Sequence, residues 1–341
     1  MKKYLIPETG NFYKANLHCH TIVSDGKKTP EEVKELYMKK GYSIVAYTDH
    51  AILIPHHHEL SDENFLALNG VELEVNKKYD PPAWIEACHI CYIPLTPDNH
   101  NTPAWHRSGK YLWGNTENYF NEVKCDESEP DFERVHTPEC LSKMMQMGRE
   151  KGYFVTYNHP TWSYHNYNDY MNFHGMHAME IVNGGSVALG YLDYNPRVYD
   201  DMLAGGEKIY CIATDDNHNA NPDDSSYSDS GIAFTMIKAD KLEYETITKA
   251  LVNGNFYASE GPEIYELYCE DNKVHIKCSE VASIYFSCPV RQNRVVHAEK
   301  GATITEASFD IPASFKYFRL TVIDKMGKRA FTNAYFPEDV N

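Results

Sequence analysis

Thr137-Pro-Glu-Cys-Leu-Ser-Lys-Met-Met-Gln-Met-Gly-Arg-Glu-Lys-Gly-Tyr-Phe-Val-Thr-Tyr-Asn-His-Pro160 is the stretch whose reading decides the fold. Thr137 can cap the free N–H groups of a helix start, and Pro138 loses nothing at the first helical position, where its missing N–H has no partner in any case. Gly152 ends the helix. The apolar run Tyr153 to Tyr157 then reads as a short buried strand, and His159 stands just past its end. The same grammar recurs along the chain. Thr29-Pro30-Glu31-Glu32 offers a cap, a proline and a capping-box glutamate, with Val33, Leu36 and Tyr37 on one face and Gly41 as terminator, before the run Ser43 to Tyr47. Asn195-Pro196 opens a helix that closes at Gly205 before the run Lys208 to Ala213, and Asp240 with Glu243 opens one that closes at Gly254. Helix then buried strand, repeated, predicts a parallel α/β sheet or barrel.

Working outward, the pattern changes after Gly254. Val274-His-Ile-Lys-Cys278, Ser283-Ile-Tyr-Phe-Ser287 and Phe318-Arg-Leu-Thr-Val322 alternate apolar and polar residues between turn-like Asp271-Asn272 and Lys325-Met326-Gly327, which predicts a small antiparallel, β-sandwich-like domain over residues 262–341. Residues 1–261 are expected to form the α/β domain. Within it, Thr96 to Pro130 follows neither period and carries Trp105, Tyr111, Trp113, Tyr119 and Phe120, so a lid or binding insertion is expected over 96–130 rather than disorder.

The chain has 341 residues, long enough for two domains or one large barrel with an appendage, and it carries 32 basic against 49 acidic side chains. Sixteen of the seventeen net negative charges fall in residues 1–261. That balance disfavours a grip on duplex nucleic acid or on an anionic membrane, since both need clustered Lys and Arg. No run of 18 apolar residues occurs, and nine cysteines without a secretory signal predict reduced thiols, so a soluble cytoplasmic protein is expected.

The chemistry is concentrated in a few short motifs. In Asn16-Leu-His-Cys-His-Thr, side chains two apart on a strand share a face, so His18 and His20 can bind one ion while Leu17 and Cys19 point away. Alone, that pair says little. Ser24-Asp25-Gly26 follows, and Thr48-Asp49-His50 ends the next strand. Glu72 lies in Asn69-Gly-Val-Glu-Leu and His89 in Cys88-His-Ile-Cys-Tyr-Ile, while His159 ends the strand quoted above and Asp216 and His218 lie in Ala213-Thr-Asp-Asp-Asn-His. Most sit at or just past the C-terminal end of a predicted strand, where parallel α/β barrels gather their functional groups. Imidazoles and carboxylates arriving together suit first-row transition metals, and no structural role needs so many unpaired polar groups at one face.

The ordered set His-x-His, Ser-Asp-Gly, Thr-Asp-His, Gly-Val-Glu, His, His-Pro and Asp-x-His resembles the PHP (polymerase and histidinol phosphatase) superfamily over about residues 12–260. The resemblance implies a distorted (β/α)7 barrel and three divalent transition-metal ions of Zn, Mn or Fe type. By it, His18, His20, Glu72 and Asp216 hold one ion, Glu72 bridges to a second held by His89 and His159, and Asp25, His50 and His218 hold the third. Glu72 and Asp216 are then also the catalytic carboxylates, with Asp49, Glu180 and Asp215 supporting the ligands. The family's usual Gly-Ser-Asp-x-His appears here as Thr214-Asp215-Asp216-Asn217-His218, in which Asp216 keeps the Asp-x-His spacing. The implied chemistry is hydrolysis of small phosphorylated compounds, of nucleotide or sugar-phosphate type, by a metal-activated hydroxide. A 5′ to 3′ exonuclease acting on short strands and a non-phosphate hydrolase of amidohydrolase type are the alternatives; no membrane partner is expected, and long nucleic acid is disfavoured.

Other groups carry less. Cysteines three apart on a strand face opposite ways, so Cys88 and Cys91 make a poor redox pair, and His56-His57-His58 reads as a solvated loop. Glu180, ending the run Met179-Glu-Ile-Val-Asn183, either orients a ligand histidine, contacts substrate or caps. The loop Thr161 to Tyr170 and the Thr96 to Pro130 insertion are each open between a substrate wall and ordinary packing.

Overall fold

The computed structural model describes residues 2–79 and 83–340. The helices begin where their caps predict: Pro30–Lys39, with Thr29 and Glu32 exchanging both capping-box bonds, Pro138–Glu150 behind Thr137, Pro196–Gly205 behind Asn195, and Tyr244–Val252. Strands Ile44–Tyr47, Tyr153–Tyr157 and Tyr210–Thr214 follow the first three and are buried almost throughout, as strands covered on both faces must be.

Parallel pairing holds in two separate arcs. Asn11–Asn16, Ile44–Tyr47 and Leu66–Asn69 pair in parallel in a nine-stranded sheet. Tyr153–Tyr157, Ala178–Asn183 and Tyr210–Thr214 pair in parallel in a five-stranded sheet, whose other strands Val71–Tyr79 and Ala83–Pro94 are antiparallel. The described residues therefore form a mixed α/β fold with no closed barrel, which corrects the expected (β/α)7 barrel. The reason lies at Asn11–Asn16. One of its edges is taken by Ile44–Tyr47 and the other by Phe234–Ala239, which runs antiparallel to it, so Tyr210–Thr214 finds no free edge on which to close the ring.

Phe234–Ala239 leads on through Phe256–Ser259 to Arg329–Thr332, Arg319–Ile323, Ser283–Ser287 and Arg294–His297, all antiparallel. A further sheet joins Ile264–Glu270, Lys273–Val281, Ile304–Asp310 and, at its edge, Lys3–Tyr4. Alternating burial along Lys273–Val281 and Ser283–Ser287 packs Val274, Ile276, Ile284 and Phe286 into one core. Asp200, on Pro196–Gly205, takes a bidentate pair from Arg319 at 2.8 Å on each arm and locks the C-terminal strands to the rest.

The stretch 96–130 folds as loops and a 3-10 helix, Gly114–Glu122, with Trp105 and Thr116 buried. Cys88 and Cys91 are buried free thiols. His56, expected on a solvated loop, is buried because Asn69 draws its N–H inward at 2.9 Å, whereas His58 is exposed. No described helix is long and apolar enough to cross a membrane.

Candidate metal centre

Seven of the nine candidate residues lie beyond the ends of their strands, where the chain keeps bonding to its neighbours, while Glu72 and His89 lie within Val71–Tyr79 and Ala83–Pro94. Asp216 donates its N–H to His18 O at 3.0 Å, and His20 donates to Asn217 O at 3.1 Å. Thr48 donates to Cys19 O, Glu72 to Thr48 O and Asn158 to His89 O. Extensions past the strand ends thus gather around one mouth although the sheets do not close. Leu17 and Cys19 alternate into the core while His18 and His20 turn to the mouth. Gly26 is needed for a close approach: a Cβ there would lie 2.7 Å from the His20 carbonyl, so only glycine lets Asp25 swing over that ring.

All nine predicted ligands meet here, and Glu72 stands at the centre. Its Oε1 lies 3.1 Å from His18 Nε2, 3.2 Å from His89 Nδ1 and 3.3 Å from His159 Nε2. Oε2 lies 3.3 Å from His50 Nδ1 and 3.4 Å from His20 Nε2. Asp216 Oδ1 approaches His20 Nε2 at 3.0 Å and His18 Nε2 at 3.2 Å, while Asp25 Oδ2 lies 3.3 Å from His218 Nε2. Two imidazoles pack on His20, with His50 at 4.4 Å and His218 at 4.3 Å between centroids. Three sets of ligand atoms close enough to share an ion emerge: His18, His20, Glu72 and Asp216; His20, Asp25, His50 and His218; and His50, Glu72 and His89. The second differs from the expected grouping by the addition of His20, and the third in that His50 stands where His159 was expected.

The residues fit divalent cations on grounds of their own. Nδ1 of His20, Nδ1 of His50 and Oδ1 of Asp216 are buried without a hydrogen bond, a costly state that a bound cation would relieve. The protonation states point the same way. Burial opposes charge on His18, His20 and His159, yet the surrounding carboxylates, Asp216 and Glu72 foremost, hold His18 and His20 well above the usual imidazole range and His159 at about 9. Burial also works against the Glu72 and Asp216 carboxylates, but His18 and its neighbours hold both well below the usual range. Asp25 is held low by His218, His20 and His50 against its own burial. His50 is kept neutral by burial and by the charge of His20. Protons on the imidazoles thus balance the carboxylates where cations could.

The three expected supporting residues divide. Glu180, fully buried, accepts from His18 Nδ1 at 2.8 Å, from the His159 N–H at 2.8 Å and from Thr214 Oγ1 at 2.6 Å, so it fixes the orientation of the His18 imidazole. Asp215 takes Tyr37 Oη at 2.8 Å and the N–H groups of Gly231, Ile232 and Ala233; burial nonetheless lifts its carboxyl to about 6. Asp49 touches no ligand atom and ties down the loop before Asp25 through Thr21 and Ser24. Sequence reasoning passed over Asn158, which donates to Glu72 at 2.9 Å, and Asn183, which donates to Glu180 at 2.8 Å and Asp216 at 3.1 Å. Each is an asparagine closing an apolar run, a signal that was there to be used. Glu74, two along the strand from Glu72, stands 3.8 Å from His89 Nε2, and burial raises its pKa. His159 and Asp216 both sit at positive φ, 28° and 50°, a conformation that costs about 1–3 kcal/mol at a non-glycine residue.

Neither a family model nor a curated protein matches the chain. Among solved structures it is similar to a two-domain protein with a predicted PHP-like metal-dependent phosphoesterase from Bacteroides vulgatus, at 15% identity, over 98% of this chain and 90% of that one, with a TM-score of 0.44. It is also similar to a protein assigned as a metal-dependent phosphoesterase from Bifidobacterium adolescentis, at 14% identity over 65% and 93% of the two chains, TM-score 0.37. An amidohydrolase from Chromobacterium violaceum, with bound sulfate and no metal, matches at 17% identity over 60% and 87%, TM-score 0.35.

Proposed function

We propose that the chain is a PHP-superfamily phosphoesterase that hydrolyses small phosphorylated compounds at a centre of three divalent transition-metal ions. The observation that carries this reading is Glu72, a fully buried carboxylate with five imidazoles within 3.4 Å of its two oxygens. An arrangement of that kind has no use in packing and suits a carboxylate shared between cations. Zn, Mn or Fe suits the mixed nitrogen and oxygen donors better than Mg or Ca.

His18, His20, Glu72 and Asp216 would hold one ion, Asp25, His50 and His218 a second, and His89 and His159, with Glu72, a third. Bound ions would supply positive charge against the phosphate oxygens and acidify water to a usable nucleophile near neutral pH. The chain's own part is positioning. Glu180 holds His18 in one tautomer and one orientation, Asn183 couples Glu180 to Asp216, and Asn158 steadies Glu72. Such supporting bonds are worth about 10–100-fold in metal affinity or activity. Local cation charge would also let an acidic chain accept an acidic substrate, with the net charge acting mainly on long polyanions.

Phosphate release from a panel of monoesters, diesters and short oligonucleotides, with and without Mn²⁺ or Zn²⁺, tests the reading. Metal-dependent release from a small ester supports it. Hydrolysis of amides or lactones by the metal-loaded protein, with all phosphate esters inert, would move it to the amidohydrolase type.

A further inference from the structure

Above the ligand cluster lies an open cavity of about 520 Å³. Two indoles wall it. Trp113, from the 96–130 stretch, leans on His50 with ring centroids 5.2 Å apart. Trp162, in the loop after His159, lies 4.9 Å from the His159 ring and 5.1 Å from that of His89. Both are only partly buried, so each rests on a ligand imidazole and still offers surface to the cavity. Leu189, 69% exposed, and Tyr227, 68% exposed, extend an apolar lip outward.

The charged groups of the cavity are as telling. Among the described residues lining it there is no lysine and no arginine. Beyond the proposed ligands its ionisable carboxyls are Glu74 and Asp229, and Asp229 already accepts the N–H groups of His218 and Asn219. A second phosphate away from the metal cluster would therefore meet carboxylate and indole rather than a guanidinium or ammonium, the groups that normally receive it. Flat, uncharged groups suit the same walls, since aromatic faces stack with little regard to sequence or substituent.

We propose that Trp113 and Trp162 form an aromatic clamp over the centre, and that the site selects esters bearing one phosphate and a flat, uncharged leaving group. The proposal rests on the phosphoesterase reading for the word ester; the clamp itself rests on the cavity walls.

The experiment compares benzyl phosphate with cyclohexylmethyl phosphate, two alcohol esters of similar size and leaving-group strength that differ in flatness. Their non-hydrolysable phosphonates serve as binding probes through quenching of tryptophan fluorescence in the metal-loaded protein. We expect kcat/KM to favour the benzyl ester by about tenfold. The preference should shrink toward parity in Trp113→Leu and Trp162→Leu and largely survive in Trp162→Phe, and a second phosphate group, fixed as a non-hydrolysable phosphonate para to the benzylic carbon, should lower kcat/KM. Equal rates and equal phosphonate affinities in native protein and both leucine variants would overturn the clamp while leaving the phosphoesterase reading in place. Selective binding of benzylphosphonate with neither ester hydrolysed would support the clamp and overturn the phosphoesterase reading. A gain from the second phosphate would overturn the single-phosphate half of the proposal.

Discussion

The mouth of the α/β arcs and the C-terminal strands spend the same kinds of residue in opposite ways. In Lys273–Val281 and Ser283–Ser287 side chains alternate in and out, and Phe286 stacks on Phe309 and Phe318 at 5.6 and 5.3 Å. At the mouth, buried ring nitrogens lack hydrogen bonds, carboxylates crowd one another, and two non-glycine residues sit at positive φ. The first region is built to be stable. The second gives up stability locally, and the surrounding strands hold it in place, which is what a preorganised site requires.

Substitutions should separate the two regions most sharply. His18→Ala or Asp216→Ala should lower kcat about a thousandfold or more, since each removes a donor from the proposed centre. Phe286→Ala should do the converse: a loss of about 3–5 kcal/mol in unfolding free energy, with kcat of the folded fraction unchanged. Steady-state kinetics beside denaturant unfolding reads both. Full activity in either ligand variant would erase the distinction.

Glu180→Gln sharpens it on a smaller scale. The amide keeps the size but cannot accept from His18 as a carboxylate does, so metal affinity should fall about 10–100-fold in a chelator competition, with little change in global stability. An unchanged affinity would return Glu180 to a capping role.

A pH series gives a subtler contrast. In metal-free protein His159 is held at about 9, and His18 and His20 also lie above the usual imidazole range. Between about 6.5, the unfolded value, and 9 these three imidazoles hold more protons in the native chain than in the unfolded one. That stabilisation is complete below 6.5 and is lost as pH rises through the folded values. Metal uptake must displace those protons, so the gain in Tm on adding Mn²⁺ should grow from pH 6.5 to 8.5. Thermal scans of stripped and loaded protein check this, and a gain that shrinks with pH would contradict the assigned protonation.

The mildest effect concerns long polyanions. With the charge concentrated in residues 1–261, turnover on a 20-nucleotide single strand should be slower than on a mononucleotide, and the gap should narrow as salt rises, because screening at 0.15 M cuts fields beyond about 8 Å. Equal or faster turnover on the strand at low salt would favour the exonuclease reading.

These contrasts also show what the sequence could tell. Helix starts at Thr29, Thr137 and Asn195 were legible because caps and prolines act locally, and the nine candidate positions were legible in short motifs and the resemblance those motifs carry, although Glu72 and His89 lie within strands rather than past their ends. The open arrangement was not. It depends on Phe234–Ala239 occupying the edge of Asn11–Asn16, a pairing across more than 200 residues that no local pattern encodes. Trp113 as a cavity wall was half legible: the aromatic residues of 96–130 left a substrate wall and ordinary packing both open, but the stretch around the 3-10 helix Gly114–Glu122 has neither the helical nor the strand period, so nothing local placed that side chain.

The central claim is that the imidazoles and carboxylates around Glu72 exist to hold several ions. Elemental analysis of protein purified without chelator, repeated on Glu72→Gln, tests it most directly. The native chain should carry close to three transition-metal equivalents and the variant clearly fewer, with the folded state of both confirmed by near-UV circular dichroism. A single equivalent or none in the native protein, unchanged by the substitution, would contradict the account.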